Sequence, residues 1–179
     1  MTIESATDYL LSLGSNLGDR TLHLQKAIAG IEGLVGTAVL SCSDVYETDP
    51  VGFLEQPAFL NLAVSIRSVL SPKELLVSLL GIETAMGRVR DIRYGPRIID
   101  VDILLCGTEV VADPPLLIIP HPRMHERAFV LTPLAQIAPD AVHPQLGATV
   151  SMMLETVAGR EGVRWHSTLF QNDCERTES

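Results

Sequence analysis

Asp100 and Asp102 lie two residues apart in Ile98-Ile-Asp-Val-Asp-Ile-Leu-Leu-Cys106, a stretch whose composition and alternation read as a β-strand. Positions two apart on a strand point to the same side, so the two carboxylates project together while Ile99, Val101 and Ile103 face the other way. Carboxylates ~7 Å apart repel by about 2 kcal/mol at an effective dielectric near 20, so positive charge is needed beside them. A divalent cation is the simplest source: magnesium takes oxygen ligands, accepts one or two carboxylates and completes its shell with water and phosphate. An Asp-x-Asp pair alone would equally suit a solvated sheet face. The loop before it shifts the balance, because Arg88, Arg90, Arg93 and Arg97 accompany a single acid there, Asp91. With so little local neutralisation these arginines are expected to face water or an anion. The planar guanidinium suits polyphosphate, and anion-binding groups beside a carboxylate pair are what metal-assisted phosphoryl transfer requires.

The rest of the chain is acidic, with 13 Lys and Arg against 22 Asp and Glu and a net charge of -9, which argues against general affinity for nucleic acid or anionic membrane. Against that background Arg88, Arg90, Arg93, Arg97, Arg123 and Arg127 cluster in one part of the sequence as a local cationic site. Apolar runs such as Ile103 to Cys106 are far shorter than the ~20 residues a membrane span needs. The first residues are polar and acidic, without the basic start and apolar stretch of a secretory signal, so a cytoplasmic protein is expected. Cys42, Cys106 and Cys174 form no C-x-x-C pair, which argues against a disulfide framework or a structural zinc site. A chain of 179 residues suits one domain, 1–179, with a mobile polar tail from about residue 172.

The elements that must position these groups are legible in outline. Tyr9 to Leu13 is an apolar run ended by Gly14-Ser15-Asn16, a strand entering a turn. From Asp19, Leu22, Leu24, Ala27, Ile28, Ile31 and Leu34 recur at helical spacing. Ala38 to Tyr46 and Phe59 to Leu70 read as two strands, joined by a proline-containing loop too long for a tight hairpin. Ser71, Pro72 and Glu74 form a capping box for a second helix that Gly87 ends, and the Asp100 strand follows. The order β-α-β-β-α-β predicts a ferredoxin-like α+β sandwich, an antiparallel sheet with helices on its faces, two of them covering one face. Beyond Gly107 the pattern suggests a short extended pair near Glu109–Val111 and Leu116–Ile119, then a helix over Glu126–Ile137 kinked at Pro133. After Arg160 it fades into a polar tail.

Arg93-Tyr-Gly-Pro-Arg-Ile-Ile-Asp-Val-Asp-Ile-Leu104 resembles the signature of the 6-hydroxymethyl-7,8-dihydropterin pyrophosphokinases of folate synthesis. Leu13-Gly-Ser-Asn-Leu17, Tyr46-Glu-Thr-Asp-Pro-Val-Gly52, Pro57-Ala-Phe-Leu-Asn61, Ile82-Glu83 with Gly87-Arg-Val-Arg90, and Pro120-His121 with Arg127-Ala-Phe129 resemble that family in the same order. The resemblance implies a ferredoxin-like fold and transfer of pyrophosphate from ATP, the co-substrate, to the reduced pterin, leaving AMP. It implies two Mg2+ ions on Asp100 and Asp102, with Arg88 and Arg97 stabilising transition-state charge. Glu83, Arg90, Arg93, Ile103, His121 and Arg127 fall on the nucleotide side. Asn16, Thr48, Val51 and Asn61 fall on the pterin side, with Phe59 and Phe129 stacking against the ring. Asp91, Tyr94 and Pro122 depart from residues common in relatives. The expected partners are these two small molecules, with no nucleic acid and no membrane, and a monomer is expected. Two rival readings are a non-catalytic ferredoxin-like module that binds RNA or a regulatory ligand, and a palm-type nucleotidyl transferase. The acidic, aromatic-poor composition argues against the first. An AMP product without polymer synthesis would separate the second.

Overall fold

The computed structural model describes residues 5–50, 55–88 and 96–170. Strand β1 (Thr7–Ser15) leads to helix α1 (Arg20–Glu32), whose start is fixed by Asp19, its carboxylate accepting the Leu22 N–H at 3.1 Å. Strands β2 (Thr37–Cys42), β3 (Val45–Thr48) and β4 (Phe59–Ser68) follow. Helix α2 (Pro72–Ala85) carries the expected capping box between Ser71 and Glu74. Past its end Gly87 adopts φ +89°, a left-handed conformation that a side chain would strain.

Strand β5 (Asp100–Cys106) closes the core pattern, and β6 (Val111–Asp113) pairs with β7 (Leu117–Ile119) as a separate small ribbon. Helices α3 (Ala128–Ile137) and α4 (Val150–Thr156) and strand β8 (Val163–Ser167) complete the described chain.

The main sheet runs β5-β1-β4-β3-β8, with β2 also on β4, and every pairing is antiparallel. The expected strand Ala38–Tyr46 is broken in two at Ser43-Asp44. There the Ser43 hydroxyl accepts the Ala63 N–H, while the Ser43 N–H donates to the Ala63 carbonyl. The expected tail after Arg160 is also corrected: Val163–Ser167 is an edge strand on β3. Its exposed Arg164, Trp165 and His166 give it little apolar alternation to betray a strand.

Alternation divides the sheet into two faces. Tyr9, Leu11 and Leu13 of β1, Leu60, Leu62, Val64 and Ile66 of β4, and Val101 and Ile103 of β5 pack under α1 and α2 in one apolar cluster. On the opposite face Ala63, Leu104 and Leu105 pack under α3 and α4 in a second cluster. Helices thus cover both faces, and the second layer comes from the C-terminal part of the chain. It covers the sheet incompletely: toward the end where Gly14, Asn61 and Asp100 lie, the second face carries polar groups and opens into a cavity.

Candidate active site

Asp100 and Asp102 occupy β5 as the spacing predicted, on the cavity side, with Val101 and Ile103 buried on the other. In register, Asp100 lies across from Gly14, and Gly14 across from Asn61, so one row of the sheet runs from carboxylate to glycine to amide. Adjacent strands are about 4.8 Å apart, which puts the outer two backbones of that row ~10 Å from each other. Gly14 keeps the middle of the row open: a Cβ there would meet Asn61 Oδ1 at 2.8 Å. Cross-strand from Asp102 sits Ser12, 8% exposed and also lining the cavity.

The arginines differ from the sequence expectation. Arg88 Nη1 is 2.7 Å from Glu83 Oε2 and 2.8 Å from Asp100 Oδ1, and Arg97 Nη1 is 2.8 Å from Asp100 Oδ2. Both are therefore neutralised, by carboxylates from helix α2 and strand β5 that the loop's own sequence does not contain. Arg90 and Arg93, like Val51, Asp91 and Tyr94, lie outside the described residues.

Each Asp100 oxygen accepts one guanidinium N–H, which leaves a second lone-pair direction on each. The Asp102 carboxylate has neither ion pair nor hydrogen bond among the described residues. Burial first, then the negative charge of Asp100, pushes its pKa up to about 7, with Arg127 and Arg97 pulling the other way. A half-buried carboxylate with no partner among the described residues, beside another and facing a cavity, is an oxygen donor set that fits a hard divalent cation.

Glu83 is buried, and its carboxylate accepts the Val101 N–H at 2.8 Å while pairing with Arg88. Burial raises its pKa, and the Val101 N–H and Arg88 oppose that shift. The expected nucleotide contact is in this geometry a brace that sets the position of Arg88. The side chain of Ile103, also expected on the nucleotide side, is packed in the apolar cluster under α1 and α2, 5% exposed, and does not line the cavity. Asn16, expected on the pterin side, is 1% exposed and tied on all sides. Its Nδ2 donates to Gln56 Oε1 and the Pro57 carbonyl, and its Oδ1 accepts the Arg97 N–H at 2.7 Å. It joins three chain segments behind the cavity wall.

Thr48, Asn61, Phe59 and Phe129 also line the cavity, and the sheet row sets Asn61, with Thr48 bonded to it, across Gly14 from Asp100. Asn61 Nδ2 donates to Thr48 Oγ1 at 2.7 Å, leaving the Thr48 hydroxyl hydrogen to donate onward. Arg127, also on the cavity, places its guanidinium carbon 5.6 Å from the Phe129 ring centre. His121 follows the cis Ile119-Pro120 bond, and its backbone N–H donates to the Leu104 carbonyl. Burial, then Arg127, lowers its pKa to about 4 with Asp100 opposing, so the ring is neutral at pH 7. Its Nδ1 accepts the Arg123 N–H, which leaves Nε2 to carry the proton and donate.

The cavity has a volume of about 710 Å3. Sequence reasoning gave no role to several of its walls: Gly14, Asp49 and Pro50 within the quoted motifs, and, outside them, Ser12, Glu126 and the stretch with Ala158, Gly159, Glu161, Gly162 and Val163. Polar Ser12 among buried aliphatics was a usable signal. The C-terminal turn carried none, since nothing local says which distant surface it meets. Among the described residues no group of three or more His, Cys, Asp or Glu is placed to hold a metal, and no helix is long and apolar enough to cross a membrane.

Residues 10–139 match the family described as 7,8-dihydro-6-hydroxymethylpterin-pyrophosphokinase. The 2-amino-4-hydroxy-6-hydroxymethyldihydropteridine pyrophosphokinase of Bacillus subtilis is 49% identical over 127 residues, covering 71% of this chain and 75% of that one. The folic acid synthesis protein fol1 of Schizosaccharomyces pombe is 40% identical over 162 residues, covering 90% of this chain but 22% of that much longer protein. A crystal structure of Plasmodium falciparum HPPK-DHPS with pterin and p-hydroxybenzoate superposes with a TM-score of 0.69 at 17% identity, over 89% of this chain and 45% of that one. That likeness bears on the fold alone.

Proposed function

The chain belongs to the 7,8-dihydro-6-hydroxymethylpterin-pyrophosphokinase family, and from that premise we propose that it transfers pyrophosphate from ATP to 6-hydroxymethyl-7,8-dihydropterin in folate biosynthesis. The observation that carries the reading is the single cavity joining two unlike ends, one with Arg97, Asp100 and Asp102, the other with Thr48, Asn61, Phe59 and Phe129. A flat heteroaromatic ring suits the aromatic end, where Thr48 and Asn61 supply polar groups for its edge. A polyphosphate suits the charged end.

In this reading the pterin hydroxymethyl oxygen attacks the β-phosphorus and its proton leaves to solvent. The bond from that phosphorus to the oxygen bridging the α-phosphate breaks, and AMP departs. Because the sheet row holds the two ends at a fixed separation, attacking and leaving groups are aligned before reaction, and positioning is the larger part of what the protein contributes.

Asp100 and Asp102 would hold Mg2+, for which we propose two ions. Bound magnesium supplies neutralisation of the charge on the phosphate oxygens. Arg97, which lines the cavity, and Arg88, which shares Asp100 with it behind the wall, would share their hydrogen bonds with phosphate at little reorganisation. Neutral His121 offers an Nε2–H donor rather than a charge. His121 is not itself on the cavity lining, whereas Arg127 is, and Arg90 and Arg93 are proposed to assist on the nucleotide side. The whole of 1–179 is proposed to act as one monomeric domain in the cytoplasm.

Incubation with ATP, magnesium and the reduced pterin should yield AMP and the pterin diphosphate together, in equal amounts, by chromatography. Release of ADP, or of AMP without a pterin product, would defeat the reading.

A further inference from the structure

Strand β8 and the turn before it lie beyond the residues that match the family, yet they form part of the cavity wall. The register places Val163 across from Thr48 and Arg164 across from Glu47. From that position Arg164 Nη2 reaches Asp49 Oδ1 at 3.1 Å and Glu47 Oε1 at 3.7 Å. The other Glu47 oxygen is 3.0 Å from Arg20 Nη1, which also donates to the Ala58 carbonyl at 2.9 Å. Asp49, Arg164, Glu47, Arg20 and the Ala58 carbonyl therefore form one continuous chain of contacts. It holds the residues just after β3 at one end and those just before β4 at the other.

We propose that Arg164 is a positioning residue for the second substrate: through Asp49 and Glu47 it fixes the Thr48–Pro50 edge of the cavity, where the pterin is read. Arg164 touches no reacting atom and acts through its partners. The inference rests on the functional reading above, because it takes this end of the cavity as the pterin end. Its pairs are about half exposed, so each is individually modest; what gives them leverage is that they are linked and anchored on two strands.

The effect should appear in substrate binding rather than turnover. Arg164→Ala should raise KM for the reduced pterin about three- to fivefold, with KM for ATP and kcat unchanged. Arg164→Lys, which keeps the charge but loses the planar fork, should recover part of the loss. Asp49→Asn, which removes one of the two Arg164 contacts, should give part of the Arg164→Ala effect, and the double variant should be no worse than Arg164→Ala alone. Amide hydrogen exchange of the substrate-free protein tests the brace without turnover: Arg164→Ala should speed exchange at Glu47, Thr48 and Asp49 while leaving β1 unchanged.

Additive losses in the double variant, equal rises in both KM values, or exchange at those amides matching the wild type would each overturn the proposal. If the wild-type protein formed no AMP with the pterin, the functional reading would fall. The exchange experiment would still decide whether Arg164 braces this edge.

Discussion

The two faces of the sheet are built from the same strands yet do opposite work. Under α1 and α2, β1, β4 and β5 contribute Leu11, Leu13, Leu62, Val64 and Ile103 to an apolar cluster. On the other face the same three strands present Ser12, Gly14, Asn61, Asp100 and Asp102 to a cavity that α3 and α4 leave open. The comparison teaches where the stability that tolerates an unpaired carboxylate comes from. The closed face buries aliphatic surface, at roughly 25 cal/mol per Å2, without regard to chemistry. The open face then retains two neighbouring half-buried carboxylates and a glycine in a strand, both unfavourable for folding.

The comparison breaks most visibly at the carboxylates. Asp100→Ala or Asp102→Ala should reduce turnover by a factor on the order of 10^3 or more while leaving the circular dichroism of the fold unchanged. Activity close to wild type in either variant would reject the division of labour between the faces. The reverse experiment lies on the closed face. Leu79, 1% exposed against the sheet, when truncated to alanine should cost about 2–5 kcal/mol in denaturant unfolding. The folded fraction should keep its kcat. A variant that lost activity in proportion to nothing but its folded fraction would agree; one inactive while fully folded would show that the closed face tunes the site.

The smallest effect is the most diagnostic. Asp102 has its folded pKa raised by burial and by Asp100, so in metal-free protein its ionised form destabilises the fold. That penalty is greatest above pH 7 and fades as the pH falls toward the ordinary carboxylate range. Asp102→Asn should therefore stabilise the metal-free protein by roughly 1–3 kcal/mol at pH 7.5. The gain should shrink toward zero near pH 4–5, and magnesium with a nucleotide should reduce it at pH 7.5. Taking the difference between variant and wild type removes the opposite contribution of His121. The lowered pKa of that histidine makes stability rise with pH between about 4 and 6.5. A variant no more stable than wild type at pH 7.5 would mean that Asp102 is already neutralised in the folded protein.

Much of this arrangement was legible before any coordinates. The period-2 pattern put Asp100 and Asp102 on one side of their strand and Val101 and Ile103 on the other, and the capping box read at Ser71 and Glu74 matches the observed cap. Matching motifs brought Thr48, Asn61, Phe59 and Phe129 to one place, and all four line one cavity. Asn16 and Glu83 hold up their neighbours in this geometry, which the motifs alone do not reveal. A motif identifies a residue near a site, but whether it faces the ligand or holds up a neighbour depends on which of its polar atoms are already occupied.

The sequence alone therefore determined what depends on near neighbours: strand and helix periodicity, capping, the shared face of two acids, and the excess of arginine beside them. These follow from backbone geometry that repeats every two or 3.6 residues. Tertiary structure decided the rest. Arg88 meets an acid 12 residues away, and Arg164 meets Asp49 across 115. Hydrogen bonds and ion pairs act over a few ångströms in space without regard to distance along the chain, so the neutralised Arg88 and Arg97, an Asp102 without a partner among the described residues and the C-terminal wall came into view only once the sheet was assembled.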